Sequence, residues 1–172
     1  MKRFLIAGAL AIASVLSMTA AADAQRYSVR NSVDVNQRGH GNEVGGRQSG
    51  DRMRMAVRQS GRDLLVQVLQ DGSRNQASVR QSGSWSRFLS DQSGSRNEVY
   101  STQRGNNLTG SVYQTGNGNI LGIAQIGSNH EVQAEQYGNF NALGVIQIGN
   151  GQNTRVIQTG DGNIGLVIQG GF

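Results

Sequence analysis

The chain has 172 residues, a formal net charge of +5, and neither proline nor cysteine. This length allows one modest domain, and the lack of cysteine excludes a disulfide-held fold. The Arg residues occur singly with acidic residues between them, which is typical of a solvated face rather than of a dedicated nucleic-acid site.

The first 24 residues have the pattern of a secretory signal peptide. Lys2 and Arg3 precede an apolar run over 4–16, and Ala22-Asp23-Ala24 has the form of a cleavage site. The apolar run is too short and too rich in alanine for a membrane span. We therefore predict an exported mature chain that begins at Gln25, with a short N-terminal segment over 25–30 and a repeat domain over 31–172.

The repeat domain is built on the tripeptide Gln-x-Gly, which recurs every 11 residues without insertion or deletion. The Gln positions are Gln37, Gln48, Gln59, Gln70, Gln81, Gln92, Gln103, Gln114, Gln125, Gln136, Gln147, Gln158 and Gln169. An 11-residue period can also indicate a right-handed coiled coil. Glycine in every period argues against helix, because each glycine in a helix interior costs about 1 kcal/mol.

The spacing of the apolar residues predicts strands. Positions four and two before each Gln are mainly apolar and often β-branched, and polar residues lie between them, as in a strand with one buried face. Each repeat therefore predicts a seven-residue strand that ends at Gln, followed by a four-residue turn in which glycine supplies a positive φ. The turn glycines are Gly39, Gly50, Gly61, Gly72, Gly83, Gly94, Gly105, Gly116, Gly127, Gly138, Gly149 and Gly160.

Asparagine adds a second period of 22 residues. Six positions before Gln, the later repeats carry Asn75, Asn97, Asn119, Asn141 and Asn163, while the alternate repeats carry other residues there. We therefore predict an all-β fold: a two-sheet β-solenoid of thirteen short strands with strand–turn–strand rungs of 22 residues, which gives six and a half rungs. Equivalent strands would stack at about 4.8 Å, in an amyloid-type cross-β arrangement on assembly.

The invariant Gln predicts a ladder of buried amides. A buried amide without partners costs a few kcal/mol, whereas stacked amides can donate to the next carbonyl along the column. The Gln and Asn columns are therefore the candidate self-assembly residues.

The pattern resembles the curlin repeat of curli fibre subunits from Gram-negative bacteria. Its clearest examples are the segments Gln114–Gln125 and Gln158–Gln169, and the resemblance extends over about 31–172. It implies export through the curli outer-membrane secretion apparatus, assembly with itself and with other curli subunits, and an extracellular amyloid fibre at the cell surface for biofilm matrix and adhesion. The family has a major subunit and a minor nucleator, and the sequence leaves both open.

The end strands lack a recognisable cap, so we predict head-to-tail stacking into a filament. With six and a half rungs, the next molecule would have to add on the opposite sheet. The segments 120–126, 142–148 and 164–169 combine β-propensity with no charge, and we hypothesise that the C-terminal third nucleates assembly.

The sequence predicts no enzyme, cofactor, metal site or small-molecule substrate. His40 and His130 are isolated, whereas zinc needs three or four ligands, and no acid–base pair recurs. Two other classes stay open: a monomeric β-solenoid binding module, such as an ice-binding protein, and a module that binds anionic polymers through the Arg-rich half.

Overall fold

The computed structural model describes residues 30–171. Within this range all regular structure is β-strand, arranged as a β-solenoid, which confirms the predicted fold class. The predicted signal peptide and all but Arg30 of the predicted N-terminal segment lie outside the described residues, so both stay predictions. The described residues contain no helix long and apolar enough to cross a membrane.

Eleven strands follow one another along the chain. They are β1 (Ser32–His40), β2 (Glu43–Asp51), β3 (Arg54–Arg62), β4 (Leu65–Ser73), β5 (Gln76–Ser84), β6 (Arg87–Ser95), β7 (Glu98–Asn117), β8 (Ile120–Tyr137), β9 (Ala142–Asn150), β10 (Asn153–Thr159) and β11 (Ile164–Gly171).

Every strand pairs in parallel with the strand 22 residues away, so that Gln37 lies beside Gln59 and Gln59 beside Gln81. The first sheet contains β1, β3, β5, the first halves of β7 and β8, β9 and β11. The second sheet contains β2, β4, β6, the second halves of β7 and β8, and β10. One rung is therefore one strand of each sheet, as the 22-residue period predicts.

The strand boundaries differ from the predicted ones. β1 begins one residue after Asn31 and continues three residues beyond Gln37. Turn residues such as Gly39 and Gly61 also pair in register, so the parallel ladder continues into the corner. In β7 and β8 pairing continues on both sides of the corner and omits only Asn107 and Asn129. This joins two repeats in one strand and reduces thirteen expected strands to eleven.

The core is a narrow apolar layer between the two sheets. It contains the residues four and two positions before each Gln, and Phe88 is the largest of them. The alternation along each strand matches this arrangement, since buried and exposed residues follow one another in β3 and β5. The Gln side chains lie at the edge of this layer and are buried from Gln59 to Gln147.

Candidate functional site: amide ladders and terminal edges

The Gln side chains form two continuous hydrogen-bonded columns, one in each sheet. In every pair the Nε2 of one Gln donates to the Oε1 of the Gln 22 residues later, at 2.7 Å for Gln37 to Gln59 and 3.0 Å for Gln92 to Gln114. The remaining pairs have the same direction and lie between 2.7 and 3.1 Å. Each column is thus a chain of aligned amides that has a donor end and an acceptor end.

Each Gln from Gln48 to Gln169 also bridges the two sheets. Gln103 Nε2 donates to the backbone carbonyl of Arg87 at 3.1 Å, and Gln125 Nε2 donates to that of Thr109 at 3.0 Å. The acceptor always lies 16 residues earlier, at the start of a strand in the opposite sheet. Both N–H groups of a buried Gln therefore have partners, which removes the cost of burying the amide.

The Asn column is a set of corner contacts to the backbone. Asn97 Oδ1 accepts the backbone N–H of Asn119 at 3.1 Å, and its Nδ2 donates to the carbonyls of Ser93 and Gly116. Direct amide contacts between neighbours in this column occur from Asn141 to Asn119 and from Asn163 to Asn141. Asn side chains therefore bind the backbone of the turn on the neighbouring rung, whereas Gln side chains bind the Gln side chains of the neighbouring rungs.

In the second sheet Asn42 occupies this position in the first rung, and other residues occupy it from Leu64 onward. His130 is 1% exposed; its Nδ1 accepts the backbone N–H of Gln152 at 3.2 Å and its Nε2 lies 3.2 Å from the carbonyl of Ile126. Because the backbone N–H of Gln152 donates to Nδ1, Nδ1 is the acceptor of the ring, and Nε2 is the nitrogen that faces the carbonyl of Ile126. Ser86 Oγ accepts the N–H of Leu108 in the same way. His130 thus serves as a structural substitute for Asn.

The turns require glycine at one position and a left-handed backbone at another. At Gly105, two residues after Gln103, an added Cβ would lie 1.8 Å from the carbonyl oxygen of Gly127 on the next rung. Two residues later Asn107 has a φ of 54°, and the equivalent Trp85 and Phe140 have φ values of 52° and 57°. This second position was missed from the sequence, although Gly or Asn recurs there.

Two tyrosines pair with carboxylates on the outer surface. Tyr100 Oη donates to Glu98 Oε2 and Tyr137 Oη donates to Glu135 Oε2, both at 2.8 Å. These hydrogen bonds are the main reason why the pKa of each phenol is raised above its ordinary value. Desolvation and the negative carboxylate raise each pKa further. Sequence reasoning did not single out these pairs, which lie two residues apart on one strand face.

The outer face of the first sheet changes character along its length. At its N-terminal end Arg38, Arg58, Arg80 and Arg104 line a shallow groove of about 330 Å³ that no acidic residue lines. We call this feature the Arg groove. None of these four residues forms an ion pair with another residue in 30–171.

The C-terminal end of the same face is apolar. Ile164, Leu166 and Ile168 are 87%, 65% and 64% exposed, and Ile120 on an earlier rung is 47% exposed. We call these four residues the apolar patch. The second sheet has no equivalent, because its outward residues over these rungs include Glu131, Arg155 and Asn153.

The two ends of the solenoid present unpaired strand edges. Among the described strands, β1 pairs with β3 alone and β2 with β4 alone, while β10 pairs with β8 alone and β11 with β9 alone. Three buried side-chain acceptors at these ends also have no hydrogen-bond partner: Gln48 Oε1 and Asp51 Oδ1 in β2, and Gln152 Oε1 beside β10.

Within residues 30–171, no group of three or more His, Asp or Glu residues is placed to hold a metal ion. His40 lies at the exposed end of β1 and His130 in the core, so the two histidines are not brought together.

Comparison with known proteins gives one match to a family. Residues 105–138 match the family model of the curlin associated repeat, which confirms the resemblance to the curlin family. This segment contains three of the Gln-x-Gly tripeptides, which begin at Gln114, Gln125 and Gln136. The chain matches no curated protein and no solved structure.

Proposed function

We propose that this chain, which carries curlin associated repeats, is a structural subunit of an extracellular curli-type fibre. In this function the solenoid stacks end to end on further copies of itself and on other curli subunits, and the fibre contributes to biofilm matrix and adhesion. The predicted signal peptide and the family resemblance support export through the curli secretion apparatus to the surface of a Gram-negative cell.

The observation that carries the proposal is the pair of open ends. Strand edges with unpaired N–H and C=O groups are templates for further strands, and β-proteins that stay monomeric usually block them. Here β1 and β11 are in-register, uncapped edges among the described strands. Each also continues a Gln column that needs a further amide on one side. A second copy of the chain supplies both the backbone and the amide partners.

Refolding of the polypeptide 25–172 from denaturant tests this function. We expect thioflavin-positive fibres with a lag that seeds abolish, and a meridional reflection at about 4.7 Å. The matched control is a Gly83→Ala, Gly105→Ala double variant, whose added methyl groups would each meet a carbonyl oxygen of the next rung. A wild-type protein that stays monomeric at high concentration would contradict the proposal.

A role as minor nucleator rather than major subunit is the alternative within the same family. The two roles differ in what the seeds do. A nucleator should shorten the lag of a second curlin at a small molar fraction, whereas a major subunit should form most of the fibre mass itself. Measuring both with labelled chains separates the roles.

The C-terminal third is the segment we propose as the nucleus. Its strands β9 and β11 are uncharged and expose large apolar residues, while β3 carries Arg54, Arg58 and Arg62. A peptide 163–172 should form fibres sooner than a peptide 50–70 of the same concentration. The opposite order would reverse this assignment.

The Arg groove favours a second candidate function, the binding of anionic polymers. Arg58 and Arg80 are in-register neighbours, and like charges in this position repel each other unless an anion lies between them. A polymer that runs along the fibre axis would meet one Arg per rung, in the order Arg38, Arg58, Arg80 and Arg104.

Binding of single-stranded DNA at several salt concentrations tests this second function. An Arg58→Gln, Arg80→Gln variant should reduce the slope of log K against log salt by about 1.4, since each contact contributes about 0.7. An Arg47→Gln, Arg87→Gln variant on the second sheet is the control and should leave the slope within about 0.3 of wild type. Equal losses in the two variants would indicate a general charge effect and contradict a specific groove.

A further inference from the structure

We propose that neighbouring molecules in the fibre are related by a half-turn about its axis, with β1 and β2 of one molecule stacked on β10 and β11 of the molecule before it. This inference rests on the proposed fibre function. At this junction a strand of the first sheet continues the second sheet of its neighbour, and a strand of the second sheet continues the first.

Complete backbone pairing favours this junction. Across the described residues the first sheet has seven strands and the second has six, because both β1 and β11 lie in the first sheet. If β1 were placed on β11 instead, β10 and the next molecule's β2 would face each other across a gap of one strand. The half-turn junction leaves no gap, and each of the four open edges obtains a parallel partner.

The Gln columns have complementary ends. At the C-terminal end, Gln158 and Gln169 each donate one N–H to a backbone carbonyl and have no later Gln to receive the other. At the N-terminal end, Gln37 and Gln48 donate to later residues and have no earlier donor, and the Oε1 of Gln48 is buried without a partner. The half-turn junction places Gln158 beside Gln37 and Gln169 beside Gln48, so both columns continue in one direction.

Another buried acceptor without a hydrogen-bond partner, Gln152 Oε1, obtains a donor at the same junction. Inside the solenoid the side chain at this corner often accepts the backbone N–H of the residue 22 positions later, as Asn31 Oδ1 does from Met53 and His130 Nδ1 does from Gln152. At the junction the backbone N–H above Gln152 is that of the next molecule's Asn31. With β1 on β11, this acceptor would stay buried and unpaired, which costs about 1–3 kcal/mol.

Charges on the outer face also distinguish the two junctions. In the half-turn arrangement Asp34 of β1 lies in register beside Arg155 of β10, and both side chains are exposed. In the alternative arrangement Asp34 lies beside Leu166 of β11. An opposite-charge pair on adjacent strands is favourable, whereas a carboxylate beside an exposed Leu gains nothing.

Disulfide trapping tests the junction directly, because the chain has no cysteine of its own. Asn36, Ile157 and Ile168 each immediately precede a Gln and are exposed on the outer face. The half-turn junction brings Asn36 beside Ile157, and the alternative brings it beside Ile168. In-register neighbours at about 4.8 Å lie within the Cα separation that a disulfide needs, about 4.4–6.8 Å.

Two double variants share one cysteine, namely Asn36→Cys with Ile157→Cys and Asn36→Cys with Ile168→Cys. Each is grown on wild-type seeds, oxidised as fibre, dissolved in denaturant and separated by size without reductant. We expect a ladder of covalent multimers from the first variant and monomer from the second. The single variants Ile157→Cys and Ile168→Cys should give at most dimers.

A ladder from the second variant alone, equal ladders from both, or fibres of both variants without any ladder would each overturn the half-turn junction while leaving fibre formation intact. A wild-type chain that forms no fibre would instead refute the proposed function and this junction with it. The two failures are therefore distinguishable by thioflavin fluorescence of wild type before any cysteine is oxidised.

Discussion

At the scale of single residues, each buried Gln makes hydrogen bonds to several parts of the solenoid at once. Gln103 accepts from Gln81, donates to Gln125 and donates to the carbonyl of Arg87 in the other sheet. A single side chain thus links three rungs and both sheets. Removing it leaves neighbouring buried groups without partners, and such groups cost about 1–3 kcal/mol each.

Gln103→Leu should therefore destabilise the fold by about 3 kcal/mol, although Leu fills a similar volume. The same substitution at Gln67, which points outward from β4, is the control and should change stability by less than about 0.5 kcal/mol. Urea unfolding followed by circular dichroism gives both values. Equal effects at the two positions would mean that the amide ladder contributes no stability.

The tyrosine–carboxylate pairs predict a dependence on alkaline pH. The pKa of Tyr100 is raised in the fold, first because its phenol donates to Glu98. A group with a raised folded pKa contributes stability that is fully present below its unfolded pKa of about 10, and this stability is lost as the pH rises through the folded pKa. The same sign applies to Tyr137, whose phenol donates to Glu135.

Ultraviolet titration of the phenolates checks this expectation. Glu98→Gln should shift the ionisation of Tyr100 to lower pH, with Glu43→Gln, an exposed carboxylate in β2 far from both tyrosines, as the control. An unchanged titration in Glu98→Gln would show that the hydrogen bond does not persist in solution.

At the scale of strands and turns, the alternation of apolar and polar residues predicted which positions of each strand face the core. Burial alternates with that period in β3, β4 and β5, so the inward columns could be identified from apolar spacing. Where a strand ends was less predictable, because that depends on pairing between rungs. The glycines at Gly39 and Gly61 were expected to leave the sheet, yet they remain in register.

The two special turn positions should differ in their tolerance of a side chain. Gly105→Ala places a methyl group 1.8 Å from a backbone oxygen, whereas Gly151, with a φ of 75°, has no atom within 4 Å of the added carbon. Gly151→Ala should cost about 1 kcal/mol, the strain of a left-handed residue. We expect Gly105→Ala to cost at least about 2 kcal/mol more, since the backbone of the next rung must move.

Denaturant midpoints of the two glycine variants measure this difference. Gly162→Ala, at a φ of 70° with open space around it, should behave like Gly151→Ala and serves as a second control. Similar midpoints for all three variants would argue that the turns of neighbouring rungs do not stack closely.

At the scale of the whole molecule, the strict 11-residue period of Gln predicted the repeated strands, and the 22-residue period of Asn predicted the two-strand rung. The stacking of rungs was predictable because a shift of one residue would turn every Gln from the core to the solvent. The Arg groove and the apolar patch were harder to predict, since they arise from residues 22 positions apart whose individual types vary. Arg58 and Arg80 become a feature only when the register places them side by side.

Deletion of one full rung should preserve the fold. Removal of residues 76–97 brings Glu98 directly after Asn75 and keeps every later residue in its column. Because stability in such arrays is approximately a sum over repeats, the variant should fold with a lower denaturant midpoint and a smaller m-value.

Deletion of Val79 alone is the control. It removes one residue from the middle of β5, so Ala77 and Gln81, which are both buried, can no longer face the core together. We expect this variant to have a lower denaturant midpoint than the variant that lacks a full rung. Equal stability of the two deletions would contradict the register that the Gln columns define.

The unequal number of strands in the two sheets determines which surfaces the two sides of the proposed fibre would expose. In the proposed fibre each molecule would advance along the axis by about 31 Å, six and a half times the strand spacing, so two molecules related by a half-turn would complete one axial repeat of about 62 Å. The outer face of the first sheet, which carries both the Arg groove and the apolar patch, would then point to one side of the fibre in one molecule and to the opposite side in the next. Such a fibre would present the Arg groove and the apolar patch on both sides and could attach to other surfaces through either side. With an even number of repeats per molecule, every molecule would present these features on the same side.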